Sequence, residues 1–510
     1  MILWGRSLGN ASPPIARTVS FTALLLTLAS GLGCGLVEET DCSLLTTCGR
    51  CDPTQSDGPI GDDCGYFVSA SIGSDDLAGT KAAPVRTLAR AIELAGERSN
   101  AVFACAEEFT EALVIPSGIK LYGGLDCGRS FQPSREGRRT SIAAPPDVVA
   151  VTVLGGAWTT RLSNVSIRAA DAIVEGGSSI AVLVLEGATF ELLFSDVEAG
   201  SGAEGLVGDT LGPTAAGDGI AGTDGEPACG FGGGAVDLEP TVLTCGEMTS
   251  VGGQGGIPEN TGDAQSGGTG LPLFEVSAAG AGGEGATTGA PCSEGAAGQD
   301  GRHGETGKGG AGLGRLSAFG FVGVRGRDGG RGLPGQGGGG GGGSRSSGGC
   351  MGISDNLGAW GGAGGTGGCG GKGGRGGGFG GASIGVASVF ASVRLDAVDI
   401  FTGRGGDGGA GGSPELGGLG GPGGKGGEGS MNVSGGCAGG KGGRGGHGGS
   451  GGGGSGGPSI GVAFVGRSPM VDRVTAAPLQ GGYGGLAPML EGRGEDGAAA
   501  LIMELEGSLL

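Results

Sequence analysis

Ser383-Ile-Gly-Val-Ala-Ser-Val389, followed by Ser392-Val-Arg-Leu-Asp-Ala-Val-Asp-Ile400, returns 76 residues later as Ser459-Ile-Gly-Val-Ala-Phe-Val465 and Met470-Val-Asp-Arg-Val-Thr-Ala476. The match runs past the opening pentapeptide: Val389 recurs as Val465, Ser392 as Ser468, Asp396 as Asp472 and Val398 as Val474. Looser copies come earlier. Arg161-Leu-Ser-Asn-Val-Ser-Ile167 parallels Arg394–Ile400, and Ser179-Ile-Ala-Val182 with Phe194-Ser-Asp-Val-Glu198 forms a further unit. Each unit is an apolar strand, a short turn and a second strand. A single unit cannot bury its apolar face, but stacked units bury theirs in one continuous core. The repeat therefore predicts an all-β chain whose strands stack in parallel.

The interval between copies is far longer than one turn of such a stack needs, and glycine fills it. Gly361–Gly381 reads GGAGGTGGCGGKGGRGGGFGG, and the Gly-Gly-X triplet recurs around Gly417–Gly427 and Gly439–Gly449. A period of three fits a polyproline-II-like helix, which has three residues per turn and no internal hydrogen bonds. Glycine accounts for 134 of the 510 residues and proline for 22. Large insertions are thus expected over about 200–270, 279–314, 325–380 and 403–457, each leaving after the second strand of a unit. Two states are open to them. The simpler is a mobile coil, since glycine loses the most backbone entropy on ordering. The other is a bundle of polyglycine-II helices, whose two bare sides per turn permit close approach. Gly298–Gly310 and Gly326–Gly338 read briefly as collagen-like triplets, but they are short and almost proline-free. Leu271–Val276 and Leu316–Val324 suit strands of either the stack or the insertions, and Ala498–Glu506 suits a closing strand or a cap.

At the start of the chain, Arg6 and Arg17 precede an apolar run, Phe21–Leu28, too short to span a bilayer. Ala29-Ser-Gly-Leu-Gly-Cys34 follows. This run resembles a bacterial lipoprotein signal, although Gly31 stands where leucine is usual. The resemblance implies removal of 1–33, lipidation of Cys34 and, with Gly35 after the cysteine, an outer-membrane or cell-surface location; plain secretion is the alternative. Setting Cys34 aside leaves 12 of the 13 cysteines, an even number suited to disulfides in an oxidising compartment. Cys42, Cys48, Cys51 and Cys64 suggest a stapled stalk over 34–64. Cys48-Gly-Arg-Cys51 is a CxxC, but the second pair that zinc would need is missing. Cys229, Cys245, Cys292, Cys350, Cys369 and Cys437 lie in or beside the glycine tracts, where crosslinks would tie loops together.

Residues 65–145 read as a compact module. Val85, Leu88, Ile92 and Ala95 share one face of a helix over Pro84–Ala95, and short strands follow at Ala101–Cys105, Ala112–Ile115 and Ile119–Gly124. The run Gly73-Ser-Asp-Asp, Gly79-Thr80, Pro84-Val-Arg-Thr-Leu88, Phe109-Thr-Glu-Ala-Leu113 and Ile119-Lys-Leu-Tyr-Gly-Gly124 resembles the N-terminal part of bacterial pectate-lyase-like proteins. That family implies a right-handed parallel β-helix whose helix caps the open end, with further coils over 146–510. It also makes Cys105 and Cys127, near neighbouring strand ends, a candidate disulfide across two coils. The Gly-Gly-X tracts are similar in composition to glycine-rich repeat domains of mycobacterial-type surface proteins.

Function is less legible. A formal net charge of −20 argues against nucleic acid as a partner. Lys372, Arg375, Lys425, Lys441 and Arg444 are single charges spaced by glycine and read as solvated. Polysaccharide lyases and hydrolases on β-helices use carboxylates, often with calcium and a basic side chain. The comparable group here is Asp396, Asp399 and Asp472 with Arg394. Stacked repeats would set Asp396 above Asp472, and paired carboxylates hold a hard cation or share a proton. The plainer reading is a polar ladder on the outer face, with Ser163 and Ser195 at partner positions. Three Trp and three Tyr offer little platform for sugar stacking. Gly406-Asp407-Gly408 and Arg327-Asp328-Gly329 resemble pieces of calcium-binding repeats without their register, so no metal or other cofactor is expected and calcium is the one weak candidate. His303 and His447 both lie in glycine tracts, poor ground for a positioned catalytic imidazole. The expectation is a non-enzymatic, exported structural or adhesive surface protein, with extracellular glycans or matrix proteins as partners. The alternative is a carbohydrate-active or carbohydrate-binding protein on the same fold.

Overall fold

The computed structural model describes residues 51–507 except 56–59, 99, 135, 212–214, 230–238, 261, 275–277, 347–357, 432 and 489. The expected signal at 1–33, Cys34 and most of the stalk lie outside the described residues. In chain order the elements are β1 (Tyr66–Val68), α1 (Leu88–Arg98), β2 (Ala101–Cys105), β3 (Glu108–Phe109), β4 (Leu113–Ile115), β5 (Lys120–Asp126), β6 (Gln132–Pro133), β7 (Thr140–Ala144), β8 (Val151–Val153), β9 (Thr159–Ser163) and β10 (Val165–Ala169). There follow β11 (Ser179–Val184), β12 (Thr189–Ala199), β13 (Val242–Cys245), β14 (Met248–Val251), β15 (Arg315–Ser317), β16 (Gly320–Val322), β17 (Ser383–Val389), β18 (Ser392–Thr402), β19 (Ser459–Val465), β20 (Met470–Ala476), β21 (Ala499–Glu504) and β22 (Glu506–Gly507).

Eleven of these strands form one curled sheet and six form a second, in the order β4, β8, β11, β17, β19, β21. Apart from the short β6, which runs antiparallel to β5, the pairings in both sheets are parallel. From β8 to β21 the chain passes back and forth between the sheets, so each repeat of the sequence adds one strand to each. The 76-residue repeat is the register itself: Ser383 pairs with Ser459, Asp396 with Asp472 and Val398 with Val474. Ser179 pairs with Ser383 in the looser copy.

Stacking in register turns single aliphatic residues into columns. Leu121, Leu162, Leu192 and Leu395 follow one another up the larger sheet. Val151, Val182, Val386 and Val462 do the same on the smaller one. All eight are fully buried in the layer between the sheets. Each such side chain contributes roughly 1.5–3 kcal/mol on burial. The smaller sheet is covered on its other face too. Ile384, Ala387 and Ile460 pack there with Leu316 and Phe321 of the β15–β16 hairpin. Leu316–Val324 therefore covers the stack instead of joining it, and Ala499–Glu504 is the last strand of the smaller sheet.

Each turn of the chain bends at a fixed place. Asn164, Phe194, Ala397 and Arg473 succeed one another in register, and all have φ between 51° and 55°. Gly124, at φ 74°, sits against Asn164 in the turn before. This left-handed corner lets β12 and β18 run on through the bend, pairing with neighbours on both sides of it. Helix α1 packs on β1, β2 and β4 at the first end of both sheets. Its apolar face is the expected one, but its first turn begins at Leu88 because Val85 is taken up by a bridge to Val68. The Leu88 and Ala89 amides donate to Glu111, and the Arg86 and Thr87 amides to Asp75. Disulfides join Cys51 to Cys64, Cys105 to Cys127, Cys245 to Cys369 and Cys292 to Cys437. Among the described residues no helix is long and apolar enough to cross a membrane.

The glycine tracts are packed against one another, the second of the two states the triplet allows. Amides of Gly326, Gly329, Gly332, Gly335, Gly338 and Gly341 donate to carbonyls of Gly377, Gly374, Gly371, Gly368, Gly365 and Gly362, at 2.8–2.9 Å. The ascending and descending steps of three mark two antiparallel segments with the three-residue repeat of a polyproline-II-like helix. Gly362, Gly365, Gly368 and Gly371 in turn donate to Cys437, Gly440, Gly443 and Gly446, this time in parallel.

The number of glycines in a triplet follows the number of neighbours. Gly337–Gly343, with no X residue, is buried throughout. It donates to segments at 265–271, 293–296 and 362–365, and accepts from 253–256, 283–286 and 437–440. With six neighbours there is no free side for a side chain: a Cβ on Gly340 would collide with the Gln254 carbonyl. In the Gly-Gly-X run 439–449, Lys441, Arg444 and His447 point outward while the glycines from Gly440 onward are buried. At 298–310 the pattern thins to one glycine in three, and this segment lies at the edge, donating to 441–453.

Candidate functional site

The carboxylates singled out in the sequence lie on the outer face of the larger sheet, where parallel register makes rows of like positions. One row runs Lys120, Arg161, Glu191, Arg394, Met470. Arg161 Nε donates to Glu191 Oε2 at 2.7 Å, and Arg394 Nη1 stands 3.8 Å from Glu191 Oε1. Arg161 also faces Asp52, at 3.8 Å. Burial lowers the affinity of Arg161 for its proton, yet the bond and charge of Glu191, with Tyr122 and Asp52, leave it above the usual guanidinium value. Burial and the Asp52 charge together push the Tyr122 phenol up to about 12.

The next row is Ser163, Leu193, Asp396, Asp472. Ser195 is not part of it; the corner moves Ser195 beside Val398. Asp396 and Asp472 do sit on adjacent strands, as the repeat predicts. Between them lies Arg473, the left-handed corner residue. Its guanidinium donates to Asp396 and stands 3.7 Å from Asp472 Oδ2. The hydrogen bond to Asp396 and then its charge raise Arg473 above the usual guanidinium value.

Asp399 belongs to a third row with Ser166, Asp196 and Thr475. Thr475 Oγ1 donates to Asp399 Oδ1 at 2.7 Å, and Asp196 is bound by Arg139. Farther along, Arg168 Nε donates to Glu198 Oε2 at 2.7 Å. The structure thus separates the four sequence candidates into three rows and gives three of them counter-charges that the sequence reading missed. Arg473 serves Asp396 and Asp472, and Glu191 serves Arg394; Asp399 gets only the Thr475 hydroxyl. The alignment of Arg161 with Arg394 contained the signal for Glu191, since the strand between two such arginines in a parallel stack calls for a carboxylate.

The Gly-Asp-Gly pieces have a different role. Arg325-Gly-Arg-Asp328-Gly, Arg404-Gly-Gly-Asp407-Gly and Arg493-Gly-Glu-Asp496-Gly share one pattern. Residues three apart lie on one side of a three-residue helix, so each arginine bonds its aspartate, at 2.9, 2.6 and 2.7 Å. The same carboxylates accept amides of the next segment: Gly376 to Asp328, Tyr483 to Asp407, Gly484 to Asp496. Asp218, Asp224 and Asp300 accept the outward amides of Leu419, Lys425 and Arg444 in the same way. His303 and His447 stack 4.9 Å apart; His303 Nδ1 accepts the His447 amide and His447 Nδ1 accepts the Gly417 amide. Among the described residues no group of three or more His, Cys, Asp or Glu is placed to hold a metal.

Two clefts open among the described residues. One of about 730 Å³ is lined by Asn260, Thr287, Thr288, Cys292, Arg345 and Ser434. Another of about 630 Å³ lies beside β15 and β16, with Arg315, Arg325, Glu504 and Glu506 in its wall. Asp396, Asp399, Asp472 and Arg394 line neither.

No family model matches the chain, and no curated protein matches it. Among solved structures it is similar to a rhamnogalacturonan lyase, at 15% identity and a TM-score of 0.20. The similarity covers 26% of this chain and 35% of the lyase.

Proposed function

We propose that this protein is a non-catalytic structural element of an exported surface, a parallel β-helix spine carrying a rigid polyglycine-II slab. The observation that carries the reading is the bonding of the tracts. Their glycine amides and carbonyls are spent on one another, so their X side chains stand in fixed rows on a stiff support. The charged face of the larger sheet points the same way. Arg473 and Glu191 are bonded to neighbours in the rows where a substrate would need free groups, and fixed pairs of this kind serve a wall better than a reaction. Disulfides suit an oxidising, exported setting. A lipid anchor at Cys34 in the outer membrane would place the slab outward, and adhesion to glycans or matrix proteins is the role such a surface serves.

The test pairs binding with catalysis. The secreted chain is screened against glycan and matrix-protein arrays, beside a variant with Lys441, Arg444 and Lys425 changed to Ser. Binding that falls in the variant, with no turnover of acidic polysaccharides by the parent, is the expected result. Turnover that disappears in Asp396→Ala/Asp472→Ala would overturn it in favour of a carbohydrate-active enzyme.

A further inference from the structure

The two ends of the stack differ. The first is covered by α1, whereas the last strands, β20 and β21, have partners on one side only among the described residues. Along the leucine column the change is abrupt: Leu395 is fully buried, while Val471, its successor, is 37% exposed. Val474 and Ala476 follow Val398 and Ile400, and Ile502 follows Val462; all three are half-buried where their predecessors are enclosed. An aliphatic layer designed to be stacked upon is open to solvent.

We propose that this end docks a second copy of the same chain, end to end about a two-fold axis. The argument is the symmetry of β20. Val471 and Val474 follow the inward Leu395 and Val398, while Asp472 and Arg473 form ion pairs on the outer face. The corner at Arg473 makes this inward–outward–outward–inward order read alike from both ends. A two-fold axis through the corner, normal to the sheet, sets β20 antiparallel to its copy. Val471 then opposes Val474 of the copy and closes the apolar layer, while Asp472 opposes Arg473, opposite charges facing twice. The same axis can meet β21 on the opposite wall, where Ala499–Met503 is uncharged up to the closing Glu504. A head-to-tail array is not available, because α1 occupies the other end. An isologous, closed dimer is what remains.

Sedimentation velocity on the full exported chain tests this. A monomer–dimer equilibrium is expected, weakened more than about tenfold in Asp472→Arg, which sets like charges against Arg473. Asp472 is exposed on the outer face, so this variant keeps the fold; an unchanged melting temperature at low concentration checks that. The register has its own readout: mixed Met470→Cys and Thr475→Cys chains should form the heterodisulfide between copies. A parent that stays monomeric, an open ladder of larger oligomers, or a dimer indifferent to Asp472→Arg that yields no heterodisulfide would each overturn the proposal.

Discussion

At the scale of single residues, glycine here is selected by crowding as much as by dihedral freedom. Gly340 is ringed by backbone on every side, and a methyl group there must push a neighbouring segment away. Gly340→Ala is expected to cost about 3 kcal/mol, as overpacking and broken backbone bonds combine. Gly262, with nothing within reach of an added Cβ, is the control; Gly262→Ala should be neutral or stabilising by up to about 1 kcal/mol. Chemical denaturation of both variants decides the matter. Tyr122 makes a separate prediction. Its folded value, about 12, lies above the unfolded value of about 10, so its contribution is complete below pH 10. Above that the unfolded chain ionises first, and roughly 2–3 kcal/mol is lost as pH rises toward 12. Denaturation at several alkaline pH values should show this loss, and Tyr122→Phe should lack it.

At the scale of elements, the sequence exposed what repeats and concealed what merely meets. Strands β17 to β20 could be placed because Ser383–Val398 and Ser459–Val474 are the same unit, and copies of a unit in a stack must pair in register. The left-handed corner was hidden, since Asn164, Phe194, Ala397 and Arg473 have no side-chain chemistry in common; only the backbone is shared. The charged rows were half visible. Asp396 over Asp472 follows from the repeat, but Arg473 reaches Asp396 from a different row because of the bend. Helix α1 shows the opposite case, in which motif residues acquire a reason. Glu111 lies 23 positions beyond Leu88, yet its carboxylate takes the first free amides of the helix. Glu111→Ala should therefore destabilise the fold by about 1–2 kcal/mol, and Glu111→Gln by less. Thermal unfolding of the two variants gives the comparison; equal losses would mean that the amides are satisfied elsewhere.

At the scale of the whole molecule, the question is whether stack and slab unfold together. They share continuous chain: β12 runs into the segment at 202–211, β18 into that at 403–427, and the segment ending at Gly457 runs into β19. They also share crosslinks that close long loops. Cys292–Cys437 spans 145 residues, and in the chain-entropy picture such a closure is worth at most about 5 kcal/mol. A slab held by backbone hydrogen bonds, with little apolar surface to bury, depends on such constraints more than an ordinary core does. In native-state hydrogen exchange, amides of Gly338, Gly365 and Gly443 should then be as protected as those of Val386 and Val462, opening only with the whole protein. In Cys292→Ala/Cys437→Ala the protection of the glycine amides should fall first, while the valine columns keep theirs. Rapid exchange of the glycine amides in the parent protein would mean that the slab is not a stable body, and the rigid display would fail with it. Equal loss in both regions of the variant would instead make stack and slab one cooperative unit, inseparable even when the crosslink is cut.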